Sequence, residues 1–162
     1  MFSSVYLFKQ MLHTLHTKQF IKSDLVTLWD FMSSPANLAK ITPSYMGFHI
    51  LSDIADTKMY PGQIIEYYVT PVAGIKMHWV TEITHVKDMA YFVDEQRFGP
   101  YAFWHHKHFL KQVPGGIEMT DVLHYKVPFG FLGKIVNALF IKKKINEIFN
   151  YRYNKLEELF NK

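Results

Sequence analysis

The 162-residue chain contains no cysteine. That absence removes disulfide scaffolds, zinc–thiolate sites, iron–sulfur clusters and cysteine nucleophiles together. The chain also lacks an uninterrupted apolar run of the ~18 residues that a membrane-spanning helix needs, which excludes an integral membrane segment of that kind. Charge is sparse. Only 20% of residues are Asp, Glu, Lys or Arg, and the net charge is +4. Nucleic-acid binders concentrate basic charge in a stripe. Here the only dense run is Lys142-Lys143-Lys144, inside a helical pattern, so nucleic acid is not an expected partner. The three lysines read as a solvated helix face, with peripheral contact to an anionic membrane surface as the alternative. No G-x-S-x-G motif is present, which leaves hydrolysis without a nucleophile. A leader peptide is not legible either. No basic residue precedes Val5, and Lys9 with Gln10 interrupts the apolar stretch. The expectation is a cytoplasmic protein whose residues 1–12 form a short N-terminal extension.

What the chain does have is apolar and aromatic mass. Hydrophobic residues make up 49% and aromatics 17%, with three Trp, ten Tyr and fourteen Phe. A composition so apolar excludes disorder, and the aromatic rings must line a core or a cavity. A length of 162 residues fits one domain, at ~100–200 residues per domain.

The periodicities fall in a definite order. Residues 13–21 alternate loosely and suit a strand. Ser23 can cap a helix with Asp24 in its first turn, and Leu25, Leu28, Trp29 and Met32 form its apolar stripe. Pro35 ends it, and a second short helix over 36–41 stops at Pro43. Six strand-like runs follow, over 47–54, 63–70, 75–86, 90–98, 102–112 and 117–127. Turn signals such as Pro61-Gly62, Gly99-Pro100 and Pro114-Gly115-Gly116 separate several of them. Beyond Pro128 the period changes. Leu132, Ile135, Val136, Leu139, Phe140, Ile145, Ile148, Phe149, Arg152, Leu156, Leu159 and Phe160 trace one helical stripe. No Pro or Gly follows Gly133. A helix over 131–160 is ~45 Å long, and only the face of the sheet offers an apolar partner of that size. The predicted class is α+β, with helices on one face of an antiparallel sheet.

That order resembles the START-like (SRPBCC) superfamily, the helix-grip or polyketide cyclase/dehydrase-like fold. The likeness is to a ligand-binding branch of it. The residues that carry it are Asn37-Leu38, Ile41-Thr42-Pro43, Pro61-Gly62, Tyr67, Pro71-Val72, Gly74 and Trp79. After them come the block Phe92-Val93-Asp94-Glu95-Gln96, Gly99-Pro100, Trp104, His106 and His108. The last matches are Asp121, Tyr125, Pro128, Gly130 and Leu132-Gly133. The resemblance implies a curved seven-stranded sheet wrapped around a long C-terminal helix, with two short helices between strands 1 and 2. Its members include lipid carriers, hormone receptors, plant allergens that bind apolar molecules and a few cyclases. One fold hosts many functions.

Alternation and turn arithmetic then assign faces. In the run beginning at Ile75, the odd positions Met77, Trp79, Thr81 and Ile83 read as interior. Pro114-Gly115 fits the centre of a type II turn, which pairs Val113 with Gly116. His108 then opposes Asp121 and Trp104 opposes Tyr125. Trp104, His106, His108 and Leu110 point inward, His105 and Lys107 outward. A three-residue loop Gly99-Pro100-Tyr101 sets Asp94 opposite His106 and Gln96 opposite Trp104. The interior then holds two His–Asp pairs flanked by Tyr67, Trp79, Gln96, Trp104 and Tyr125. These nine residues are the candidate ligand-binding set, a polar patch in an aromatic cavity for a small apolar or lipid-like molecule. The competing reading is a satisfied buried network that fixes register. Two further chemistries stay open. His106 and His108 with Asp94 and Asp121 form the minimal acid–base pairs of a cyclase, dehydratase or isomerase. His106-x-His108 with a carboxylate also has the donor set of a divalent metal site, but each histidine already has a carboxylate opposite it, so no metal and no other cofactor is expected.

Overall fold

Strict alternation of buried and accessible side chains marks the strands that carry the core. In β7 (Gly116–Lys126) the positions Ile117, Met119, Asp121, Leu123 and Tyr125 are buried and the residues between them are not. β3 (Gln63–Val69) alternates in the same way. The computed structural model describes residues 12–53, 58–70 and 74–162. Apart from Leu12, the expected N-terminal extension lies outside the described residues, as do Ile54, Pro71 and Val72. The elements run β1 (His13–Ile21), α1 (Leu25–Met32), β2 (His49–Ile50), β3, β4 (Met77–Lys87), β5 (Tyr91–Phe98), β6 (Phe103–Val113) and β7. After β7 come α2 (Gly130–Val136), a π-helical segment (Asn137–Ile141) and α3 (Lys142–Phe160). The strands form one antiparallel seven-stranded sheet in the order β1-β7-β6-β5-β4-β3-β2. Strands 2 to 7 are a meander, and β1 returns to pair with β7, so that Leu15 opposes Leu123. This is the helix-grip architecture expected from the order of periodicities.

Several local readings need correction. Asp24, not Ser23, is the N-cap of α1, its carboxylate accepting from the Thr27 backbone N–H at 2.9 Å. The second short helix is 3-10, over Pro35–Ile41, and a further 3-10 turn over Ser44–Met46 follows it. Only His49–Ile50 of the expected strand over 47–54 pairs in the sheet. Register shifts interrupt the β4–β5 ladder between Val80 and Thr81 and between Ile83 and His85. The second ends the simple alternation that holds from Met77 to Ile83.

The C-terminal helix departs most. Its apolar stripe is not continuous on the sheet. Ile145, Phe149, Arg152 and Leu156 are buried, whereas Leu132, Ile135, Val136, Leu139, Phe140 and Leu159 are exposed. The π segment explains the first five. A wider turn advances the phase of the helix, so the α2 stripe leaves the sheet face that α3 follows. Gly133, at which any Cβ would run into the Pro128 carbonyl, is buried instead. α3 is fastened at its far end. Gln19 on β1 donates to the Tyr153 carbonyl at 3.0 Å and to Glu157 at 2.8 Å, and Asn161 donates to the Phe20 carbonyl at 3.0 Å.

Three apolar clusters surround the middle of the sheet. Leu28, Trp29 and Met32 of α1 pack with Phe92, Leu110, Met119 and Leu156. Met46 joins Ile65, Tyr67, Val69, Trp79 and Ile83. Leu123, Tyr125 and Val127 pack under Ile145 and Phe149.

Candidate functional site

The Pro114-Gly115 turn sets the register of the site. Gly115 has φ +85°, the left-handed value that the third residue of a type II turn requires. Val113 therefore pairs with Gly116, His108 with Asp121 and Trp104 with Tyr125. On the other side of β6, Asp94 opposes His106, and the ladder ends at Glu95 opposite His105. Asp94, His106, His108 and Asp121 thus meet on three adjacent strands.

Their side chains do not pair straight across. His106 Nε2 lies 3.1 Å from Asp121 Oδ1, and His108 Nε2 lies 2.8 Å from Asp94 Oδ1. The straight partners are close as well. His108 Nδ1 is 2.7 Å from Asp121 Oδ1, at an angle outside hydrogen-bond geometry, and His106 Nδ1 is 3.5 Å from Asp94 Oδ1. Trp104 Nε1 donates to Asp94 Oδ2 at 3.1 Å. His108 stacks on Phe92 with ring centroids 4.2 Å apart, and His106 packs against Phe149 of α3. The result is a quartet, buried but for the partly exposed Asp94, in which each carboxylate faces both imidazoles.

Burial pushes both carboxyls up, but their partners outweigh it. The charge of His106 and the hydrogen bond from His108 hold Asp94 below the usual carboxylate range, and the hydrogen bond from His106 with the close approach of His108 holds Asp121 well below it. Burial lowers His106, helped by the neighbouring charge of His108, and it remains below its ordinary value. Burial also opposes the charge on His108, but the close carboxylate of Asp121 and the bond to Asp94 raise it overall.

Three members of the quartet border a cavity of about 140 Å³ between the sheet, the 3-10 turns and α3. Tyr67, Trp79, Asp94, Trp104, His106 and His108 line it. Trp79 and Trp104 meet edge to face with centroids 5.2 Å apart, and Tyr67 stacks on Trp79 at 5.9 Å. Trp79 Nε1 and the Tyr67 hydroxyl both reach Thr81 Oγ1, at 3.1 and 2.8 Å. Burial pushes the Tyr67 and Tyr101 hydroxyls well above the ordinary phenol value.

Three of the nine candidates are not on that wall. Gln96 bonds to the backbone of Tyr101, donating to its carbonyl at 2.7 Å and accepting from its N–H at 3.1 Å, and so shapes the β5–β6 loop. Asp121 lies behind the histidines, at a smaller cavity of about 50 Å³ that Gln19 and Arg152 also border. Tyr125 packs with Leu123, Val127 and Phe149. Conversely, the sequence reading missed Thr81 as a hydroxyl hub, Tyr101 as a wall and Arg152 as a cation at both cavities. Arg152 carried a signal, because a charged residue interrupts the stripe Ile145, Phe149, Leu156. Asp94, His106 and His108 offer ligand atoms all within 4.8 Å of one another, the trio that could hold a cation. Its atoms already serve the imidazole–carboxylate contacts.

No protein-family model and no curated protein sequence matches the chain. Solved structures do. A protein from Chromobacterium violaceum superposes with a TM-score of 0.68 at 14% identity, over 92% of this chain and 98% of that one. A ginseng major latex-like protein from Panax ginseng gives 0.64 at 11% identity, over 93% and 99%. Ara h 8.0201 gives 0.59 at 12% identity, over 91% and 99%. The fold is the START-like helix-grip fold that the sequence resembles. Identities this low establish the fold alone. Among the described residues no helix is long and apolar enough to cross a membrane.

Proposed function

We propose that the protein binds a small apolar molecule with one polar end in the cavity between the sheet and α3. The observation that carries this reading is the cavity itself, about 140 Å³ with aromatic walls and one polar patch made by Asp94, His106 and His108. Apolar cavities of ~150 Å³ take up a benzene-sized guest. Trp79, Trp104 and Tyr67 supply flat surface for a ring or chain, and the polar patch orients one end. Native mass spectrometry of protein purified without detergent tests it. The expected spectrum shows a retained small molecule that organic extraction removes. Bare protein that also fails to take up added apolar probes overturns the reading.

A second reading is favoured by the two imidazoles on the cavity wall, each held by carboxylates. Two imidazoles shifted in opposite directions, His108 up and His106 down, are an arrangement for moving protons on a bound carbonyl or hydroxyl compound. Cyclisation, dehydration or isomerisation needs no more than that. Incubating the protein with its co-purified ligand separates the readings. Loss of water or a changed retention time that disappears in His108→Ala supports catalysis, and an unchanged ligand supports binding alone.

A further inference from the structure

Arg152 stands on the buried face of α3 between Phe149 and Leu156, with only 9% of its surface exposed. Its Nε and Nη1 have no hydrogen-bond partner, and it makes no ion pair among the described residues. The Phe149 ring lies 5.5 Å from its Cζ. A guanidinium removed from water without an acceptor is costly, and the carboxylates that border its two cavities are already engaged. Asp94 receives His108 and Trp104, and Asp121 receives His106 with His108 close beside it. Arg152 borders the 140 Å³ cavity, and its charge is felt by the Tyr67 hydroxyl on the same wall.

We infer that the polar end of the ligand is an oxyanion, a carboxylate or phosphate monoester on an apolar body, held by Arg152. The inference rests on the cavity reading above and names the chemistry of its ligand. A guanidinium presents a planar fork of N–H donors that matches either oxyanion. Arg152 borders the cavity, most of whose wall is Trp, Tyr, Phe, Ile and Met, and the carboxylates of the quartet are turned to their imidazoles. An apolar tail against the walls with its anion on α3 fills both deficits at once.

The test uses three probes of one chain length, octanoate, octan-1-ol and octyl phosphate, followed by calorimetry and by the fluorescence of Trp79 and Trp104. Octanoate is expected to bind about 10-fold to 100-fold more tightly than octanol, the size of a charge-assisted hydrogen bond. Arg152→Met is expected to remove that preference and leave octanol affinity unchanged, and Arg152→Lys to retain part of it. Octyl phosphate binding above octanoate assigns the head group to a phosphate ester, and the reverse order to a carboxylate. Octanol binding as tightly as octanoate to the unaltered protein overturns the oxyanion inference and leaves the cavity reading standing. That comparison needs no variant, so it decides the matter even if Arg152→Met does not fold. Failure of all three probes to bind removes the cavity reading and this inference with it.

Discussion

At the residue scale the quartet sets the most specific expectations. His108 sits between two ionised carboxylates, so His108→Ala leaves both short of a donor in a buried site. The loss is expected at ~1–3 kcal/mol, more because the acceptors are charged. His105, one residue away in the chain on β6, faces the other way and contacts Glu95 at 2.8 Å with about a fifth of its side chain exposed. Losing such a pair costs about 0.5 kcal/mol. Urea melts of the two variants check the contrast, and equal losses would contradict the register. The pH dependence has a definite sign on the acid side. Asp94 and Asp121 titrate below the ordinary carboxylate range in the fold. They therefore stabilise it above about pH 4, and that stabilisation is lost as the pH falls through their folded values. Asp121→Asn removes one contribution, so its stability should decline less between neutral pH and pH 2. Nearer neutrality the histidines oppose one another. His108, raised, stabilises the fold below about pH 6.5 and loses that as the pH rises, while His106, lowered, does the reverse.

At the element scale the C-terminal helix is two unlike halves joined by a π turn. α3 buries Ile145, Phe149, Arg152 and Leu156, and its far end is bonded to β1. α2 presents Leu132, 67% exposed, beside exposed Ile135 and Val136. Leu156→Ala, at a site with 0% exposure, is expected to cost ~2–5 kcal/mol through lost transfer energy and the cavity left behind. Leu132→Ala should change stability by less than about 0.5 kcal/mol. Denaturant midpoints decide it. A large loss at Leu132 would mean that α2 packs on the sheet after all. Five exposed apolar residues of the α2 and π segment, from Leu132 to Phe140, look like one stripe with α3 in sequence because a 3.6-residue period cannot register a single wider turn. Nothing in composition near Asn137 announces it.

At the scale of the molecule, the sheet, α1 with its 3-10 turns, and α3 enclose a space that none of them fills. The clusters around Phe92 and Trp79 are walls of one cavity as well as parts of the core, and Tyr101 and Trp104 separate it from the Leu123 cluster. A bound molecule must then stabilise the fold by mass action. Octanoate at 100 times its dissociation constant is expected to add ~2.7 kcal/mol to the unfolding free energy, read as a rise in melting temperature that octanol at equal concentration does not match. Val69, buried and on the cavity wall, offers the complementary change. Val69→Phe places a ring in the empty volume. It is expected to weaken octanoate binding by at least about 10-fold while changing stability by no more than ~1 kcal/mol, because space is filled rather than neighbours displaced. Undiminished binding to this variant would place the ligand elsewhere.

The sequence by itself determined what depends on neighbours in the chain. Alternation marked β4 and β7, Pro114-Gly115 fixed the β6–β7 register and with it the facing of β6, and Pro35 and Pro43 bounded the short helices. A loop of three residues after Phe98 put Asp94 opposite His106. From these the inward set of Trp79, Trp104, His106, His108 and Asp121 was legible, because facing in a strand follows from counting once one turn is known. Tertiary structure alone decided the rest. Whether a buried side chain lines empty space or is covered depends on what packs above it, so Asp94 and Trp104 reached the cavity while Asp121, Gln96 and Tyr125 did not. The crossed bonds of the quartet follow from side-chain rotamers, which backbone register leaves free. The open donors of Arg152 follow from which acceptors the fold brings near α3, and those come from β5 and β7, tens of residues away in the chain.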